Sequence, residues 1–199
     1  MPKLYIISGC NGSGKPTASY SLLPQMLGCT EFVNSDEFAK YLSPFDPSAA
    51  SISASRYMLM KIRYLLERNS DFCIETTLAT RTLLKTIRKA REENGYEVTL
   101  IYFWLNSPEL AIKRVRDRVE AGGHHIPDEV VKRRYYMGIQ YFFDDYLPVC
   151  DKWILADNST SPFTIIAEGD KRLVSIKDST KYEYIWGSVH EDNDPEEEI

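Results

Sequence analysis

Short runs of apolar, β-branched and aromatic residues alternate along the chain with longer stretches in which apolar residues recur every three or four positions. The short runs, Lys3 to Ser8, Glu31 to Asn34, Asp71 to Thr76, Glu97 to Leu105 and Lys152 to Ala156, predict strands. Between them, Ser51 to Asn69 and Thr80 to Asn94 carry Leu, Met, Ile, Arg and Lys at helical spacing, and Asn94-Gly95 closes the second stretch with a helix-stopping pair. Glu109 to Val119 predicts another helix, with Ala111 or Ile112, Val115 and Val119 turned inward. Such alternation predicts an α/β fold in which helices cover a mostly parallel sheet. Pro162 to Glu168 and Arg172 to Lys177 flank Gly169-Asp170 and predict a terminal β-hairpin.

Composition sets the scale of this fold. With 199 residues, 43% of them hydrophobic, the chain has material for one sizeable core, and a single domain over residues 1–189 is expected. Residues 190–199 hold six acids and neither Lys nor Arg, and read as a solvated, disordered tail. Without that tail the formal net charge of -5 shrinks to 24 basic side chains against 23 acidic ones, which gives no general footprint for nucleic acid or an anionic membrane. Cys10, Cys29, Cys73 and Cys150 show no CxxC spacing and are expected as reduced thiols. The first apolar run is too short for a signal peptide and no run of about eighteen apolar residues exists, so a cytoplasmic protein is expected. His124 and His125 are adjacent and lack companions at metal-ligand spacing, so no zinc site is expected. The aromatic stretch from Tyr135 to Tyr146 reads as helix core rather than a platform for stacked bases.

Chemistry enters with Gly9-Cys10-Asn11-Gly12-Ser13-Gly14-Lys15, which follows the first strand directly and precedes a helix expected to begin over Thr17 to Leu23. This is a Walker A motif lacking its last residue. Its glycines let backbone N–H groups turn toward phosphate oxygens, the helix N-terminus adds partial positive charge, and Lys15 reaches the outer phosphates. Gly9, Asn11, Gly12, Ser13, Gly14, Lys15 and Thr17 are therefore the candidate nucleotide contacts. The eighth position, normally a Ser or Thr that binds magnesium, is Pro16, so no protein ligand for the metal is expected there. Proline also removes an N–H that would face phosphate and biases Lys15 away from helical angles. Thr17 lies about 100° further round a helix and does not replace the lost hydroxyl.

Together with motifs further along, the loop resembles that of the zeta toxin family. The resemblance covers about residues 3–169. Beyond the loop it rests on Asn34-Ser35-Asp36-Glu37, Ile74-Glu75-Thr76-Thr77-Leu78, Trp104 through Ala111, and Arg118, Gly122-Gly123-His124, Pro127 and Arg133-Arg134. It implies a P-loop nucleoside-triphosphate hydrolase fold related to shikimate and adenylate kinases, with a helical lid over about residues 114–134. It also implies ATP and Mg2+ as cofactors and transfer of the γ-phosphoryl group to a sugar hydroxyl of UDP-N-acetylglucosamine or another small-molecule acceptor. An antitoxin partner is implied by the resemblance as well.

Asp36 follows the second strand on the edge where parallel strands gather ligands, and is the candidate general base for the acceptor hydroxyl. The alternative is that Ser35, Asp36 and Glu37 serve only to start a helix. Glu75 ends the third strand and is the leading candidate on that side, for binding the acceptor or a magnesium-bound water. Thr76, Thr77 and Arg81 follow on the same loop as acceptor-side candidates, with helix capping an equal alternative for the threonines. Arg114 and Arg118 lie one turn apart on a helix, and Lys132, Arg133 and Arg134 form a second cluster across the glycines of a mobile lid. Arg118 and Arg134 are the best pair for stabilising the transferring phosphoryl group, and Arg133 is assigned to the nucleotide; the alternative is a solvated basic helix face. Asp157-Asn158-Ser159 follows the last core strand and is a candidate edge for the adenine. Three functional classes are in play: a small-molecule kinase impaired by Pro16, a nucleotide-binding module without catalysis that acts through a partner, and a hydrolase acting on water.

Overall fold

The computed structural model describes residues 1–17, 28–47, 49–123 and 125–190. Of the expectations above, the helix after the loop beyond Thr17, His124 and the acidic tail beyond His190 lie outside the described residues. Among the described residues, seven strands form one sheet in the order β2-β3-β1-β4-β5-β6-β7. They are β1 (Lys3–Ser8), β2 (Phe32–Asn34), β3 (Phe72–Thr76), β4 (Glu97–Trp104), β5 (Lys152–Asp157), β6 (Thr164–Asp170) and β7 (Val174–Ile176). Strands β1 to β5 are parallel, and β6 and β7 add the expected hairpin antiparallel at one edge. The central strands are apolar along nearly their whole length because both faces are covered. Leu4 and Ile6 feed the larger core, and Tyr5 and Ile7, pointing the other way, feed the smaller.

Six helices of the described residues matter to the site: α1 (Ser35–Leu42), α2 (Ser51–Glu67), α3 (Leu84–Glu92), α4 (Pro108–Glu120), α5 (Asp128–Tyr141) and α6 (Ser179–His190). Asn34 caps α1 by accepting from the Asp36 N–H at 2.7 Å, and Ser107 caps α4 ahead of Pro108 by accepting from the Leu110 N–H at 3.1 Å. Helix α5 runs on through a π-helical turn, Phe142–Tyr146, and a short 3-10 turn, Leu147–Val149. Tyr135, Phe142 and Tyr146 are buried along this rod, so the aromatic stretch does build helix core. Gly138 lets α5 lie against β4, because a Cβ there would stand 2.8 Å from the Tyr102 hydroxyl and 2.9 Å from the Thr77 carbonyl oxygen. That close seat brings Arg134, one turn earlier, toward the strand ends.

Two expectations need correction. Helix α3 starts at Leu84 rather than Thr80, since residues 80–83 form a turn in which the Leu84 N–H bonds to the Arg81 carbonyl and the Tyr146 hydroxyl holds the Thr80 carbonyl at 2.6 Å. Lys15 opens the helical turn despite the proline that follows it. The paired glycines after α4 terminate that helix: the Gly122 N–H bonds to the Val119 carbonyl and the Gly123 N–H to the Arg118 carbonyl, with Gly122 at φ +87. Helix α6 had no sequence expectation, because its apolar pattern is weak and only Ile185 and Gly187 are buried. Its start was signalled by Asp178, whose carboxylate accepts from the Lys181 N–H at 3.0 Å.

Gly122→Ala forces a Cβ into the left-handed region and is expected to cost about 1 kcal/mol of stability. Urea denaturation of the two proteins measures this, and an unchanged midpoint would show that the turn relaxes.

Candidate active site

Parallel pairing sends the carboxyl ends of β1 to β5 to a single edge, with β1 flanked by β3 and β4 where the connections diverge. The glycine-rich loop leaves β1 there, turning at Gly9, Gly12 and Gly14, all with positive φ. Asn11, Ser13 and Lys15 are buried within it. The Lys15 ammonium donates to the Gly9 and Cys10 carbonyl oxygens, each at 2.9 Å. Burial pulls its pKa down, against the opposing pull of Glu75, Cys10 and Asp36. The buried Ser13 hydroxyl has no hydrogen-bond partner among the described residues. Burial also pushes the Cys10 thiol up to about 11, so it stays protonated.

Glu75 stands beside Asn34 in the β2–β3 register, and the Asn34 side chain favours its charged form. Its other polar contacts are sparse: Oε2 is buried with no partner among the described residues. Burial dominates and raises the Glu75 pKa to about 7, with Lys15 pulling it down and Asp36 and Glu37 pushing it up. Asn34 thus neighbours Glu75 while capping the helix that carries Asp36. Asp36 is exposed and its charge is felt at Lys15, Glu75 and Arg134. The helix-start reading of the Asn34 to Glu37 motif holds, since Asp36 and Glu37 occupy the first turn of α1.

Arg134 donates to the Asn11 side-chain oxygen at 3.0 Å and is partly desolvated, which lowers its pKa. Arg118 lies close enough to act on the Lys15 charge, and the exposed Arg133 on that of Arg134. Arg114, expected on the same helical face as Arg118, instead donates to the Asn158 and Ser159 carbonyl oxygens at 2.9 and 2.8 Å. Arg81 is paired with Asp145 at 2.9 Å and stacked 4.6 Å from the Tyr141 ring, so its guanidinium is engaged by the end of α5 and the turn after it. Thr76 accepts from the Leu78 N–H at 3.1 Å, a local turn contact, and Thr77 is half-buried beside α5.

Sequence reading underrated Asn34 and Asn158. Asn158 donates to the Ser13 carbonyl at 2.7 Å from the turn after β5, far away in sequence, and no local pattern announces that contact.

Positive-φ turns, the buried ammonium, the orphaned Ser13 hydroxyl and a helical turn starting at Lys15 fit the phosphates of a nucleotide. Magnesium is a different case. Pro16 presents only carbon where the ligand hydroxyl belongs, and among the described residues no group of three or more His, Cys, Asp or Glu side chains is arranged to hold a metal. No helix among them is long and apolar enough to cross a membrane.

Comparison with known proteins bears on the family and the fold. The zeta toxin family model matches residues 1–142. An uncharacterised protein of Haemophilus influenzae is 31% identical over 134 residues, which cover 67% of this chain and 92% of that one. The crystal structure of AvrRxo1-ORF1:-ORF2 with ATP superposes with a TM-score of 0.69 at 18% identity over 93% of this chain, which spans only 63% of that one. The PezAT chromosomal toxin-antitoxin system of Streptococcus pneumoniae gives 0.66 at 17%, covering 94% and 79%. These two likenesses are of fold, an α/β P-loop kinase fold with a mostly parallel sheet.

Because the folded pKa of Glu75, about 7, exceeds the ordinary 4.5, the folded protein holds a proton that the unfolded chain releases between those values. Stability is then highest below the lower value and falls as pH rises through the window. Glu75→Gln is expected to match the parent near pH 4.5 and to exceed it at pH 8 by up to about 3 kcal/mol. Denaturation at the two pH values checks this, and equal stabilities at pH 8 would refute the burial cost.

Proposed function

Because the chain belongs to the zeta toxin family, we propose that it is a P-loop phosphotransferase that moves the γ-phosphoryl group of ATP to a hydroxyl of a small molecule of the nucleotide-sugar class, with Pro16 lowering its rate. The observation that carries this is the meeting of Lys15, Asp36, Glu75, Arg118 and Arg134 around one loop. A nucleotide-binding site for hydrolysis alone has no need of two carboxylates on the acceptor side. Relatives of the same fold add support, one of them crystallised with ATP.

In this reading the loop N–H groups and Lys15 hold the β- and γ-phosphates, with Arg133 at the nucleotide's outer side. Glu75, Thr76 and Thr77 line the acceptor side. Asp36 takes the proton of the acceptor hydroxyl as its oxygen bonds to the γ-phosphorus. The bond to the bridging oxygen breaks, and its electron pair leaves with ADP. Arg118 and Arg134 balance the charge that spreads over the transferring group. Magnesium, in kinases of this kind, neutralises phosphate charge, and Pro16 offers it no ligand. The same residue favours the second reading, a nucleotide-binding module without catalysis, since it removes a hydroxyl and an N–H from the phosphate site.

The parent and Pro16→Thr proteins should be assayed with ATP against nucleotide sugars, sugars and nucleosides. Acceptor-dependent transfer is expected to rise at least tenfold in the Thr variant; a variant that binds ATP and magnesium yet phosphorylates nothing leaves the binding module as the answer. Asp36→Asn in the Thr background is expected to lower the rate on the order of 10²-fold or more. A rate within about threefold of its parent removes Asp36 from the base role.

A further inference from the structure

We infer that Asn158, beyond the segment that matches the family, is a positioning residue for the phosphate loop. Its side-chain amide sets the orientation of the Ser13–Gly14 peptide. The inference rests on the nucleotide reading of that loop and names a part of it that sequence reading had assigned to the adenine.

The contact is short and close: the Asn158 amide donates to the Ser13 carbonyl at 2.7 Å, and a Cβ on Gly14 would stand 2.6 Å from the same nitrogen. In a trans peptide the carbonyl and the following N–H point in opposite directions. A Ser13 carbonyl held toward Asn158 therefore turns the Gly14 N–H away from it, to the side from which the loop binds phosphate. Without that bond the peptide is free to rotate between two glycine-permitted orientations, only one of which presents the donor.

Asn158 is itself fixed. Its N–H bonds to the Trp104 carbonyl at 2.9 Å, and its carbonyl takes one arm of Arg114 while Ser159 takes the other. Asp157 is buried, accepts from both the N–H and the hydroxyl of Ser159 at 2.8 and 2.5 Å, and pairs with Lys181 of α6 at 2.9 Å. The chain beyond β5 is thereby tied to α4 on one side and α6 on the other, and its single amide reaches the loop. An asparagine serving the base would not need its donor spent on a loop carbonyl.

The test uses the full chain and its Pro16→Thr form, with ATP and GTP affinities measured by calorimetry for the parents and for Asn158→Ala and Asn158→Asp. Aspartate keeps the shape but cannot donate to the carbonyl, so it decides the matter should the alanine variant fail to fold. The expected result is a loss of about tenfold for both nucleotides, with the ATP-to-GTP ratio unchanged and the melting temperature within a few degrees of the parent. Unchanged affinities, or a shift in the ratio that marks a base contact, overturn the inference while leaving the kinase reading intact. If neither parent form binds ATP or GTP, both readings fall.

Discussion

Parallel pairing of β1 with β3 on one side and β4 on the other is the constraint on which the site depends. It fixes five carboxyl ends on one edge and puts the glycine-rich loop at the centre of them. From there Lys15 faces Glu75 and Asp36 on one flank, while α4 and α5 bring arginines from the other. No pair among these residues is adjacent in sequence, and only the register of the sheet makes them neighbours.

Burial then sets the chemistry. Lys15 and Glu75 are both removed from water, and each relieves part of the other's cost: the ammonium lowers the carboxyl's pKa and the carboxyl raises that of the ammonium. Neither compensation is complete, since desolvation leads in both cases, so Glu75 exchanges its proton near pH 7 and Lys15 leans on the Gly9 and Cys10 carbonyls. Such a site is poised for an anion that would give the ammonium a full partner. Pro16 interrupts it at one point, where a hydroxyl and an N–H are exchanged for carbon, and leaves the rest of the cradle in place.

The last third of the chain holds this arrangement together. Helix α6 grips Asp157 through Lys181, the turn after β5 is clasped by Arg114, and Asn158 touches the loop. Arg114, which the one-turn spacing grouped with Arg118, belongs to this clasp. Helical spacing shows which residues share a face but not what that face meets.

The strands, the hairpin, the glycine-rich loop and the candidate residues were legible in the sequence, because period-two and period-3.6 patterns and the glycine-rich motif are written locally. The sequence also marked Pro16. It did not reveal α6, whose burial is too slight to shape its pattern, nor that Gly122 and Gly123 end a helix. Packing through space paired Arg81 with Asp145, buried Glu75 beside Lys15 and brought Asn158 to Ser13. Those outcomes depend on distance through space and on exclusion of water, and neither quantity is carried by any one segment of the chain.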